Sequence, residues 1–106
     1  MKIIKASEWN LTYTRQDVVD WMCSNVMKNI QRANNEGSHK ASFYGGCGYW
    51  DNDKKEFTYS KGDNRPFVHW YDYRDEVAEV FREAGYKIKP TGKIGGVWQD
   101  TEDIIW

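Results

Sequence analysis

No run of apolar residues in this 106-residue chain approaches the ~20 that span a bilayer. Met1-Lys2-Ile3-Ile4-Lys5 is too short and too charged for a signal peptide, so no membrane partner is expected and the location predicted is cytoplasmic. Charge of one sign is also missing. Fifteen basic and sixteen acidic residues give a net charge of −1, with six of each sign in residues 1–53 and nine against ten in residues 54–106. That balance lacks the basic stripe of a duplex binder, so duplex nucleic acid is not an expected partner. Cysteine and histidine are scarce, with two of each. Cys23, Cys47, His39 and His69 have no finger or Cys-x-x-Cys spacing, so no zinc site is predicted and both thiols are expected free. Asp51 and Asp53 begin like a calcium loop, but the central glycine and distal glutamate do not follow. Gly45-Gly46-Cys47-Gly48 lacks the Gly-Lys-Ser/Thr ending of a P-loop and reads as a bulge or tight turn. No cofactor, metal or catalytic set is expected.

What the chain does have is aromatic side chain. Ten of its seventeen aromatic residues fall between Phe43 and Tyr73. Around them the pattern is that of one small α+β domain. Thr14 with Asp17 forms a capping-box variant, and Val18, Met22, Val26, Ile30 and Ala33 recur at helical spacing. A helix is therefore predicted from about Arg15 to Asn35, stopped by Gly37, with Asp17, Asp20, Asn25, Lys28, Asn29 and Arg32 on its wet face. A short strand is expected within Ile3–Tyr13. From His39 the helical period disappears, and three antiparallel strands are predicted as a meander, at about Lys40–Gly45, Glu56–Ser60 and Pro66–Trp70. Polar turns at residues 51–55 and 61–66 separate them.

A second helix is predicted with Asp72 as cap, Val77, Val80, Phe81 and Ala84 as the buried stripe, and Gly85 as the stop. Tyr86-Lys87-Ile88-Lys89 alternates like a strand, and residues Ile94 to Gln99 read as another. Residues 100–103 read as a turn before Ile104-Ile105-Trp106, an apolar triplet expected to be docked. The architecture expected is one antiparallel sheet of four to six strands with two helices on one face.

A helix closing on Ala84-Gly85-Tyr86, an alternating strand, a glycine turn and the triplet Ile104-Ile105-Trp106 resemble small accessory proteins of tailed phages and prophages. The resemblance covers roughly residues 74–106 and implies a phage origin and a binding role that counters host defence. It carries over no functional residue.

Candidate binding residues come from the aromatic set itself. Neighbours on a strand face opposite sides, so Tyr49 and Trp50, or Trp70 and Tyr71, cannot both enter one core. Trp50, after the glycine loop, is the first choice for an outward ring. Arg65, His69 and Lys93 are the polar companions. The excess ring area reads as a ligand pocket, a protein interface that includes a homo-oligomer interface, or a second layer of packing. The leading expectation is a non-enzymatic protein that inhibits a host defence protein. A second is capture of a small nucleotide signal between rings and Arg65 or Lys93 at an oligomer interface, since base stacking contributes ~1–3 kcal/mol per base. A third is a small hydrolase or nuclease using the scattered histidines and carboxylates.

Overall fold

Thr14 opens the first helix through both halves of a capping box: its hydroxyl accepts the Asp17 N–H at 3.2 Å, and its own N–H donates to the Asp17 carboxylate at 2.8 Å. The computed structural model describes residues 13–62, 65–91, 93–94, 97–98 and 101–106, with 93–94 and 97–98 described by backbone alone. Helix α1 runs Arg15–Asn35, as its periodicity predicts, and buries Val18, Val19, Met22, Val26 and Ile30. Its end is a Schellman turn: Ser38 N–H reaches Ala33 O, Gly37 N–H reaches Asn34 O, and Gly37 takes φ 80°.

Helix α2 spans Trp70–Glu83 and ends in the same way, with Tyr86 N–H on Phe81 O and Gly85 at φ 98°. Its start differs from the expected Asp72 cap. His69 is the N-cap, accepting the Tyr71 N–H, so Trp70 and Tyr71 occupy the first helical turn rather than a strand. The buried face is Trp70, Val77, Ala78 and Phe81, while Val80 and Ala84 are exposed.

The strands are β1 (Lys40–Ser42), β2 (Gly48–Asp51), β3 (Glu56–Thr58), β4 (Phe67–Val68), β5 (Lys87–Pro90), β6 (Lys93–Ile94), β7 (Val97–Trp98) and β8 (Glu102–Ile105). The α+β class holds, but the strands divide among three antiparallel groups: β1-β8-β5, β3-β2-β4 and the ribbon β6-β7. The expected meander is therefore corrected. β1 leaves its sequence neighbours to pair with β8 in the register Lys40↔Ile105, Ala41↔Ile104, Ser42↔Asp103. Its place beside β3 and β4 is taken by β2, whose glycine start hid it as a strand. Glu102 and Asp103, expected in a turn, are strand residues paired with Pro90 and Lys89.

The single strand expected at Ile94–Gln99 is a pair of short strands, with Lys93↔Trp98 and Ile94↔Val97; residues 95–96 and 99 lie outside the described part. The strand expected before Tyr13, and residues 63, 64 and 92 of the expected turns, also lie outside it.

Helix α1 packs against β1 and against α2, and α2 packs against β5. The core between them joins the α1 stripe to Phe43, Val68, Trp70, Val77, Ala78, Phe81 and Ile104. Ile104, at the centre of β8, is fully buried, and Trp106 packs against the core with its ring 6.3 Å from Tyr86. Among the described residues no helix is long and apolar enough to cross a membrane.

Candidate functional site

The segment joining β1 to β2 brings the glycine run onto α1 and the start of α2. Gly45 lies so close to both that a Cβ there would meet the Trp70 ring at 2.6 Å and Met22 Cβ at 2.7 Å. Asn25 on α1 holds this passage by donating to the Gly45 carbonyl at 2.8 Å, and Asn29 donates to the carbonyls of Ser42 and Tyr44, each at 3.5 Å. Both asparagines, expected on the wet face, thus turn toward the loop and satisfy its backbone. Gly46 takes φ 86°, and the chain leaves Gly48 against Trp21. The glycines serve close packing and a turn.

This passage sets Tyr44 beside the first turn of α2. Its ring is 47% exposed and meets Trp70 edge-on at 5.9 Å. Its hydroxyl lies 3.5 Å from Cys47 Sγ, and that sulfur accepts the Trp70 N–H at 3.4 Å. The Cys47 contact, followed by burial, pushes the Tyr44 phenol up to about 12, so it stays protonated at neutral pH. Both cysteines are free, and burial pushes the Cys23 thiol up to about 11.

A groove of about 300 Å³ opens beside Tyr44, lined by Ser42, Phe43, Tyr44, Trp70, Tyr71, Thr101 and Glu102. Phe43 and Trp70 form its buried wall, edge to face at 5.0 Å. Tyr71 is 64% exposed and continues outward as a row of rings: it stacks on His69 at 5.3 Å, His69 meets Phe67 at 5.9 Å, and Phe67 meets Tyr49 at 5.0 Å. Phe67 is 52% exposed. On the other side of Tyr44 a second, shallower groove of about 290 Å³ is bordered by Asn25, Gly46, Cys47 and Tyr59, whose ring is 72% exposed. Tyr59, Tyr44, Tyr71 and Phe67 together make an aromatic ledge.

The ionised groups near the groove are arranged around Arg74. Its Nε donates to Glu102 Oε1 at 2.6 Å, and its Nη2 pairs with the other carboxylate oxygen. Its Nη1 pairs with Asp75 at 2.7 Å, and the guanidinium lies 5.7 Å from the Phe43 ring centroid. The hydrogen bonds to Glu102, ahead of the contact with Asp75, hold the Arg74 guanidinium above its ordinary range and keep it charged.

The residues expected from sequence are distributed unevenly over this surface. Tyr71 and His69 belong to it, and half-buried Tyr49 stands at its edge. Trp70 contributes a buried wall at 2% exposure. Trp50, expected to reach outward, is instead 7% exposed, enclosed by Tyr13 at 5.5 Å and Phe57 at 4.9 Å. That correction has a simple cause: Trp50 lies on the inner side of β2, where rings from α1's approach and β3 close over it. Arg65 donates to Asp51 at 3.1 Å and to Ser60 O at 2.9 Å, so it ties sheet β3-β2-β4 to its turn and does not line the groove. The Lys93 side chain lies outside the described residues. Sequence reasoning missed Tyr44, Tyr59, Phe67 and Glu102; the first three were visible as aromatics, but their exposure depends on which strand pairs with which.

His69 accepts the Tyr71 N–H at Nδ1, and Cys47 is engaged by Tyr44 and Trp70. Both act as fixtures of the ledge. Among the described residues no group of three His, Cys, Asp or Glu side chains could hold a metal ion. No family model, no curated protein and no solved structure matches this chain.

Proposed function

We propose that this chain is a non-enzymatic binding protein that docks a protein partner on the ledge of Tyr44, Tyr59, Phe67 and Tyr71. The partner class follows from the resemblance to phage accessory proteins: a host defence protein, inhibited by occlusion. One observation carries the reading. Phe67 and Tyr71 are more than half exposed, yet each is already held by ring contacts to His69. Exposed rings with fixed geometry offer a partner large contact area while losing little rotamer freedom on binding. Rings of this kind are the side chains that dominate interface energetics, often at 2 kcal/mol or more each, roughly a thirtyfold change in affinity.

The test is a comparison of the wild-type chain with the double variant Phe67→Ala, Tyr71→Ala in host cells carrying a defence system. Wild type is expected to protect infecting phage and to retain a host protein on purification. The double variant is expected to fold, with a melt close to wild type, and to lose both. Full protection by the folded double variant, with loss in His39→Ala, would sink the reading and return attention to a catalytic site.

A further inference from the structure

The outer face of sheet β1-β8-β5 gathers positive charge that the sequence keeps apart. Lys40, Ile105 and Lys87 stand in one cross-strand row, and Ser42, Asp103 and Lys89 stand in the next row on the same side. Ala41, Ile104 and Ile88 take the opposite side, where Ile104 enters the core with the helices. Lys40, Lys87 and Lys89 are exposed, and among the described residues none of the three is in an ion pair. Set against Asp103, they leave two positive charges on this face of a chain whose net charge is −1. Glu102 stands on the side of Ile104 and is paired with Arg74, so it does not offset them.

The chemistry of this face suits phosphates better than protein. Its two rows hold one apolar side chain, half-buried Ile105, and no ring. A protein interface draws its strength from a desolvated apolar or aromatic centre, whereas a phosphate backbone needs only spaced cations. Two residues of one strand set Lys87 and Lys89 about 7 Å apart, and two strand spacings set Lys40 about 10 Å from Lys87. A flexible single strand can bend to bring a phosphate to each of the three. A rigid duplex, being convex, offers a flat face only a short stretch of one backbone. We propose that this face binds the phosphate backbone of a single-stranded nucleic acid without reading its bases. The proposal does not depend on the docking reading of the aromatic ledge.

The experiment follows the fluorescence anisotropy of a labelled oligothymidylate titrated with the full chain from about 20 to 200 mM KCl. Binding is expected to weaken with salt, with a log–log slope of about −2 for three phosphate contacts at ~0.7 each. Lys40→Gln, Lys87→Gln and Lys89→Gln are each expected to weaken binding at least threefold and to flatten the slope by about 0.7. Lys54→Gln makes the same charge change on the turn after β2 and is expected to bind like wild type. Asp103→Asn is expected to bind at least twofold more tightly, a gain that loss of folding cannot produce.

A slope near zero, or equal losses in Lys54→Gln and the three sheet variants, would overturn the proposal. So would equal binding of a polyglutamate peptide, which would mark a general attraction for anions, or of a duplex, which would remove the single-strand assignment. The Phe67/Tyr71 double variant is expected to hold the oligonucleotide as wild type does. If it loses the oligonucleotide while the lysine variants keep it, the strand lies on the ledge and the sheet assignment falls. If it keeps both oligonucleotide and protein partner while the lysine variants lose the oligonucleotide, the sheet assignment stands and the docking reading falls.

Discussion

Gly45 has no side chain to contribute, yet two helices depend on its lacking one. A methyl group there would stand 2.6 Å from the Trp70 ring and 2.7 Å from Met22 Cβ, both parts of the buried core. Gly45→Ala should therefore act as overpacking and cost ~1–3 kcal/mol, readable as a lower urea midpoint. An unchanged midpoint would mean that the passage beside α2 is looser than described. The role was only half legible. A glycine run signals a turn from sequence alone, but close approach to Trp70 depends on a residue far along the chain. Trp50 and Tyr71 make the same point about exposure. Both pairs do part, at 7% against half-buried Tyr49 and at 2% against 64% for Trp70 and Tyr71, although strand alternation applies to the first pair alone, since Trp70 and Tyr71 lie on a helix. Which ring of each pair goes inward was set by partners the alternation rule does not see, Tyr13 and Phe57 for Trp50, and the first helical turn for Trp70.

Among the elements, those built from local contacts were the readable ones. Both helices end on glycines at positive φ, and α1 starts at its capping box, because caps and 3.6-residue periodicity lie within a few residues of one another. The start of α2 misled because two capable caps, His69 and Asp72, stand three residues apart, and burial of Trp70 favours the earlier one. The turn after β2 shows how much a polar cluster can hide. Asp51 is buried, accepts the N–H groups of Asp53 and Lys54 at 3.0 and 3.2 Å, and pairs with Arg65. These contacts, the Lys54 N–H first, hold its carboxyl below the ordinary carboxylate range. A carboxyl with a depressed folded-state pKa contributes stability above the unfolded value, ~3.9, and loses it as pH falls through the folded one. Asp51→Asn should thus remove part of the decline in stability as pH falls below about 4. Melts of the two proteins across that range decide it: parallel curves would mean that Asp51 does not report on folding.

For the whole molecule, the decisive strand is β8. It lies between β1 and β5, pairs with both, and carries fully buried Ile104 into the core beneath α1 and α2. Its Glu102 ties α2 through Arg74 and lines the groove, so sheet, helix and candidate site share one element. The sequence marked the apolar triplet as docked, but pairing of Lys40 with Ile105 joins residues 65 positions apart, and no local pattern encodes such a register. A chain stopped after Thr101 leaves β1 and β5 without a common partner and opens the core at Ile104. It should lose cooperative thermal unfolding and the near-ultraviolet circular dichroism of its packed rings, while α1 retains part of its helical signal. The ledge rings would then lack the frame that fixes Tyr44 against Trp70, and partner binding should vanish with the fold. A truncated chain that still melts cooperatively within about 5 °C of the full one, equivalent to about 1 kcal/mol, would show that the helices and sheet β3-β2-β4 fold without β8.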